Sequence, residues 1–291
     1  MQREASVERS KTKIADFFGK IDRRIIFIVL TIVIIIPLIL PIGIVGRVSS
    51  RVSDLFKVVD KIPPEGKPLL ISIDFDPQSM PELYPMLLSV LRHAFARNIR
   101  VVVMGLWVTG VGLGEEALNI TSREYQKEYG KDYVFLGWKP GISAVMLGMG
   151  RSIKETFPTD YYGKPIDSFP IMSEVNTYKD IPLLVSLSAG DPGYITWITY
   201  AQTRFSVKMG TGVTAVSAAD AYPYLQTGQL AGLLDGMKGA SEYEFLVDKA
   251  GYSKAFRPAS QAMDSQSLAH LAIMILIILG NIGYFLARGR R

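Results

Sequence analysis

The segment ISIDFDPQS sets two carboxylates, Asp74 and Asp76, two residues apart at the end of an apolar run. That spacing can offer two hard oxygen ligands to a divalent cation, or a nucleophile and an acid–base partner to a phosphoryl group. A strand-end turn is the plainer use, because a short carboxylate there readily accepts N–H groups from the start of the next helix. Two more acids follow apolar runs later on, Asp191 in SAGDPGYI and Asp220 in SAADAY. These four aspartates are the candidate ligand-binding residues, and Asp74 with Asp76 is the candidate catalytic pair. Tyr161 and Tyr162 join them from the irregular stretch Thr156 to Asp180. Such long loops are usually lids or binding loops, and aromatic residues give them large contact area at low entropic cost.

Other chemistries lack their parts. The chain has no cysteine, which excludes thiolate catalysis, cysteine metal sites and disulfides. Of its two histidines, His270 lies in an apolar segment, and His93 is expected on the surface of a helix beside Arg92 and Arg97. The run TGVGLGEE does not reproduce GxGxxG, and it puts Glu115 and Glu116 where a phosphate would need positive potential. GxSxG, HExxH and GxxxxGK patterns are absent. No metal site or cofactor is therefore assigned, and the balance leans away from an enzyme.

Two resemblances bear on the aspartates. ISIDFDPQS resembles the first motif of the haloacid dehalogenase-like phosphohydrolases, with Pro77 and Gln78 departing from its usual continuation. The resemblance implies a metal-dependent phosphohydrolase with Asp74 as nucleophile and Asp76 as general acid or base. SAGDPGYI resembles that family's late acidic motif at Asp191, with Ile195 where a second acid is usual. Further on, Asp220, Tyr222, Leu225, Gln226 and Gly228 resemble a strand-to-helix stretch of the substrate-binding proteins of tripartite periplasmic transporters. That likeness implies an extracytoplasmic substrate-binding module.

The elements that must position these residues alternate. Unbroken apolar runs at Leu69 to Asp74, Ile99 to Trp107, Tyr133 to Trp138, Ile181 to Ser188 and Gly212 to Ala218 predict strands covered on both faces. Helices are expected at Met80 to Ala96, from Glu115 to Tyr129, Ile142 to Phe157, Tyr194 to Phe205 and from Ala221 onward. The fold class is α/β: a doubly wound, mostly parallel five-stranded sheet, Rossmann-like or flavodoxin-like, over residues 68–257. Ligands in such sheets bind beyond the carboxyl ends of the strands, where all four aspartates fall. Gly228, Gly232 and Gly236 recur every fourth residue. On one helix they would form a bare ridge allowing close backbone approach, within the domain or at a subunit interface.

Two uncharged apolar segments bracket this domain, residues 25–45 and 268–286, and each is long enough to cross a bilayer as a helix. The first reads as a retained anchor, since no small-x-small cleavage site follows it. Residues 46–67 and 258–267 are then connectors, with basic segments at 1–24 and 287–291. Arg3, Arg9, Lys11, Lys13, Lys20, Arg23 and Arg24 on one flank, and Arg288, Arg290 and Arg291 on the other, favour cytoplasmic termini and an extracytoplasmic domain. The net charge of +5 sits at these ends, leaving the domain about neutral. Nucleic acid is thus excluded as a partner, while the bilayer and self-association or other membrane subunits are expected. The function expected is that of a membrane-tethered assembly, scaffold or ligand-sensing subunit, oligomeric and non-enzymatic.

Overall fold

The computed structural model describes residues 22–40, 42–43, 47–252 and 257–288. The chain divides into two units, Val45–Ser260 and the pair Met1–Ile44 with Gln261–Arg291. Its first elements are α1 (Arg23–Ile39), α2 (Ser50–Asp60), β1 (Leu69–Asp74), α3 (Met80–Ala96), β2 (Val101–Gly105), α4 (Val111–Tyr125), β3 (Tyr133–Trp138) and α5 (Ile142–Arg151). There follow β4 (Leu184–Ser188), α6 (Tyr194–Trp197), β5 (Met209–Val213), α7 (Ala218–Gln226), β6 (Leu233–Asp235), α8 (Gly236–Lys249) and α9 (Pro258–Arg288). Helix α6 runs on through a π-helical turn, Ile198–Gln202, into a last turn at Thr203–Phe205.

In the larger unit the strands form one parallel sheet in the order β3-β2-β1-β4-β5-β6. This is the strand order of the Rossmann arrangement rather than the flavodoxin one, with its topological switch between β1 and β4. Side chains alternate across the sheet. Leu69, Ile71 and Ile73 of β1 pack with α2, α3, α4 and α8, while Leu70 faces α5, α6, α7 and the Thr156 to Asp180 segment. Each face is thus apolar and covered, which explains why the strands read as unbroken runs.

The sheet has six strands where five were expected. The sixth, β6, is only three residues long and lies inside the glycine-rich stretch that the four-residue spacing assigned to a helix. The glycine ridge consequently does not exist. Gly228 turns the chain after α7 with φ 76°, Gly232 leads into β6, and Gly236 begins α8 with φ 60°. Close approach does occur at Gly232, where a Cβ would stand 2.6 Å from Leu55 Cβ and 2.7 Å from Leu55 Cα. The partner is α2 of the same unit.

His93 was expected at the surface and is fully buried. Its Nδ1 lies 2.8 Å from the Tyr243 hydroxyl and its Nε2 3.3 Å from Asp60 Oδ1, with Phe56 and Tyr252 stacked on its ring. It ties α2, α3 and α8 together. The Thr156 to Asp180 segment is also more packed than a free loop, because Ile166, Ile171, Met172, Val175 and Tyr178 are buried against the sheet.

The smaller unit corrects the expectation of two spans. Among the described residues one helix, Pro258–Phe285 within α9, is long and apolar enough to cross a membrane. Helix α1 has 17 residues, with Pro37 inside it. At 1.5 Å per residue it rises about 26 Å, short of a hydrocarbon core roughly 30 Å thick. The expected connector 258–267 is helical, being the start of α9. Asp264 Oδ2 accepts the backbone N–H groups of Ile42 (2.9 Å) and Gly43 (2.7 Å), and Ser265 Oγ donates to Ile34 O (3.0 Å). These bonds hold the chain leaving α1 against α9. The basic residues at 3–20 and 290–291 lie outside the described residues.

Candidate functional site

The carboxyl ends of the strands gather most of the polar candidates, but at different depths. Asp74 ends β1 and is fully buried. Its Oδ1 accepts from Ser72 Oγ (2.7 Å) and Leu106 N (2.9 Å), and its Oδ2 from Ser186 Oγ (3.0 Å) and Trp197 Nε1 (3.0 Å). Four donors use all four lone-pair positions of the carboxylate. Each favours the charged form, yet desolvation outweighs them and raises the Asp74 pKa to about 6. A nucleophile needs an oxygen open to its substrate, and Asp74 has none. It is a structural knot joining β1, β4, α6 and the chain after β2.

Asp76 stands just beyond it and follows the plainer expectation. Its Oδ1 accepts from Ser79 N (3.1 Å) and Ser79 Oγ (3.2 Å) in the turn before α3. The switch-point crevice between β1 and β4 is bridged as well, by Trp107 Nε1 donating to Pro192 O at 2.8 Å. Among the described residues no group of three or more His, Cys, Asp or Glu could hold a metal ion. The phosphohydrolase reading thus lacks an accessible carboxylate pair.

Tyr161 and Tyr162 occupy a separate place beyond β3. Asp160, 5 % exposed, accepts from Tyr162 N (3.0 Å), Lys164 N (2.7 Å) and the Tyr129 hydroxyl (2.6 Å), which fixes the turn that carries them. Tyr162 donates to Glu115 Oε1 at 2.9 Å, and Tyr161 packs against Phe135 and borders a shallow cleft with Trp138 and Phe157. Both tyrosines are half exposed.

Asp191 and Asp220 come together. They line one cavity of about 550 Å³ beyond β4 and β5, together with Ser188, Tyr194, Thr196, Thr199, Tyr200 and Ser217. Its construction follows from local sequence. After β4 the chain turns through Gly190 and Gly193, and a Cβ on Gly193 would stand 2.6 Å from Ser188 Cβ. This tight turn lets Ser188 Oγ accept the Tyr194 N–H at 3.3 Å and starts α6 along one wall. The opposite wall is the start of α7, with Ser217 at its N-cap and Asp220 in its first turn.

The polar character of the wall and the packing behind it differ. The wall is rich in hydroxyls and holds two exposed carboxylates, with no lysine, arginine or histidine in it. Arg204 lies over the Tyr200 ring, 5.8 Å from its centroid, and is not part of the lining. Tyr194 is 5 % exposed, and its hydroxyl has no hydrogen-bond partner. Burial, then the charges of Asp220 and Tyr224, push the Tyr194 phenol up to about 12, so it stays protonated and retains a donor and an acceptor. A buried hydroxyl without a partner is uncommon and costs about 1 to 3 kcal/mol, and this one is closed to solvent, a polar atom packed behind the wall.

Reasoning from sequence reached Asp191 and Asp220 through the rule that ligands lie beyond strand ends. It missed Tyr194, Thr196, Thr199 and Ser217, whose signal was their nearness to the same two strand ends. Comparison with protein-family models, with curated proteins and with solved structures finds no match to this chain.

Proposed function

We propose that this chain is a membrane-tethered, non-enzymatic ligand-binding module. Its Rossmann-like domain would take a small molecule in the cavity beyond β4 and β5, and α9 would hold that domain at a bilayer. The observation that carries the reading is a cavity of about 550 Å³ beyond the carboxyl ends of two neighbouring strands, walled by Ser188, Asp191, Thr196, Thr199, Ser217 and Asp220. This volume falls among those of small-molecule sites, and such sites combine an apolar or aromatic wall with a few convergent polar groups. Binding rather than turnover is favoured because no histidine or lysine lines the wall to activate Ser188 or Ser217. Support for the tether comes from α9, where Leu271, Ile273, Met274, Ile275, Ile277 and Ile278 are exposed apolar residues in succession, a surface suited to lipid. Cytoplasmic termini and an extracytoplasmic domain remain the favoured orientation on the flanking basic residues.

The test is thermal denaturation of the detergent-solubilised full chain against a small-molecule panel spanning amines, sugars, carboxylates and nucleotides. Thr199 is exposed on the cavity wall, so Thr199→Trp fills the space without disturbing the core. A ligand that raises the melting temperature of the parent chain and not of Thr199→Trp supports the reading. Hits that stabilise both alike, or no hit at all, sink it.

A further inference from the structure

We infer that the carboxyl end of the sheet is a lipid-contact surface, whose exposed apolar side chains enter the headgroup region of a zwitterionic bilayer. The inference uses the membrane tether of the reading above and is independent of its ligand. Distribution is the first argument. Outside the smaller unit, seven large apolar side chains are exposed among the described residues. Ile120 lies alone, well along α4. Val108, Trp138, Ile195 and Val216 close or follow β2, β3, β4 and β5 in turn, Tyr161 shares a cleft with Trp138, and Tyr162 packs on Tyr161. Val216 is the most open, at 91 %.

The row is continuous. Trp138 Nε1 donates to Leu106 O at 3.1 Å, next to Val108, and Trp107 Nε1 donates to Pro192 O at 2.8 Å, in the turn before Ile195. Ile195 in turn lines one cavity with Ser217, the neighbour of Val216. Exposed apolar residues scattered singly mean nothing, whereas their collection at one end of a domain marks an interface.

Attachment, shape and charge name lipid as the occupant. Arg51 Nη2 meets Asp235, the last residue of β6, at 2.5 Å, and its guanidinium lies over the Tyr222 ring of α7 at 5.5 Å. The first turn of α2 therefore lies at the carboxyl end of the sheet. Because α2 opens only a few residues after the boundary at Val45, the chain from the smaller unit joins the larger one at the end that carries the row. The apolar side chains project from turns and helix starts. Lipid closes around such projections, while a protein partner needs a complementary hollow for each. Tryptophan and tyrosine suit the headgroup boundary, with an apolar ring and a polar tip. Asp191 and Asp220 are exposed within the row, so a second copy docked by the same end would oppose carboxylates, and anionic headgroups would be repelled.

The chain has no cysteine, so single cysteines can carry a label. Val108→Cys and Val216→Cys report on the row, with Ile120→Cys on α4 as control, and all three positions are exposed, so none threatens folding. Each full-length variant is labelled with an environment-sensitive fluorophore, placed in phosphatidylcholine nanodiscs and challenged with nitroxide-bearing lipid or aqueous iodide. Labels at Val108→Cys and Val216→Cys are expected to lose emission to the nitroxide lipid and resist iodide, and the Ile120→Cys label should do the reverse. Iodide quenching of the row without lipid quenching means an uncovered surface, and protection from both quenchers means a cover of protein; either overturns the inference. Lipid quenching at all three positions is unspecific and overturns it too. Release of the chain by alkaline carbonate would remove the tether and this inference together, whereas a chain that stays in the membrane with iodide-open labels sinks this inference alone.

Discussion

Trp197 donates its indole N–H to Asp74 Oδ2 across 3.0 Å, and neither side chain is open to solvent. The bond joins the end of β1 to α6, the helix that forms one wall of the candidate cavity. Its chemistry sets a sharp requirement. Trp197 Nε1 and Leu106 N can only donate, and they approach opposite oxygens of the same carboxylate.

Asp74→Asn should therefore be costly despite its near-identical shape. An amide has one oxygen, so whichever way it turns, its NH2 group faces one of two obligate donors. The expected loss is about 2 to 4 kcal/mol of unfolding free energy, measured by denaturant titration of the larger unit's tryptophan fluorescence. Asp74→Ala leaves all four donors unpaired and should lose more. If Asp74→Asn proved as stable as the parent, the four-bond arrangement would be wrong.

Between about pH 4 and 6 two buried groups, Asp74 and His93, should make opposing contributions to the pH dependence of stability. Burial raises Asp74 to about 6, above its ordinary value of 3.8. Its contribution is thus full below the unfolded value and is lost as pH rises through about 6. Burial lowers His93 to about 4, below its ordinary 6.5, although hydrogen bonding to Asp60 resists the change. Its contribution is full above 6.5 and is lost as pH falls through about 4. Each is worth about 3 kcal/mol over its window, with opposite slopes. His93→Phe should expose a stability that declines as pH rises, and Asp74→Asn one that increases. Denaturant midpoints at half-unit pH steps read both, and parallel slopes in the two variants would refute the assignment.

The parts of this architecture carried by periodicity were legible in the sequence, and the parts carried by contact were not. β1 announced itself because six consecutive residues are buried on a doubly covered sheet. β6 did not, since three residues show no periodicity and the surrounding glycines imitate a helical repeat. Asp191 and Asp220 could be named from their place after strands. Tyr194 could not, because an unpartnered hydroxyl exists only once the walls around it are known. His93 misled for a related reason: flanking arginines suggested solvent, whereas Arg92 pairs with Glu124 at 2.8 Å and Arg97 with Asp60 at 3.2 Å at the edge of a packed cluster.

The glycines of the false ridge should respond differently to alanine. At Gly232 a methyl would press into the Leu55 backbone, so either α2 or the approach to β6 must move. At Gly228 nothing lies within 4 Å, and only the positive φ resists. Gly228→Ala should cost about 1 kcal/mol and Gly232→Ala 2 kcal/mol or more. Chemical denaturation of the two variants decides it. Equal, small losses would mean that α2 does not rest on the sheet as closely as described.

Helix α9 provides the last prediction, which concerns where the chain resides. Pro258–Phe285 has 28 residues, about 42 Å at 1.5 Å each, more than the hydrocarbon thickness. A spanning helix leaves the bilayer only when detergent dissolves the lipid, whereas a peripheral one is released by alkaline carbonate. The parent chain should stay in the membrane pellet at high pH. Ile277 and Ile278 lie well inside the apolar stretch and are exposed, so replacing both with lysine removes no packing from the folded domain. It does place two charges at the depth where each costs about 3 kcal/mol or more. The double variant should shift toward the soluble fraction while its larger unit keeps the parent's denaturation midpoint. Release of the unaltered chain by carbonate would show instead that the apolar face of α9 is covered by protein.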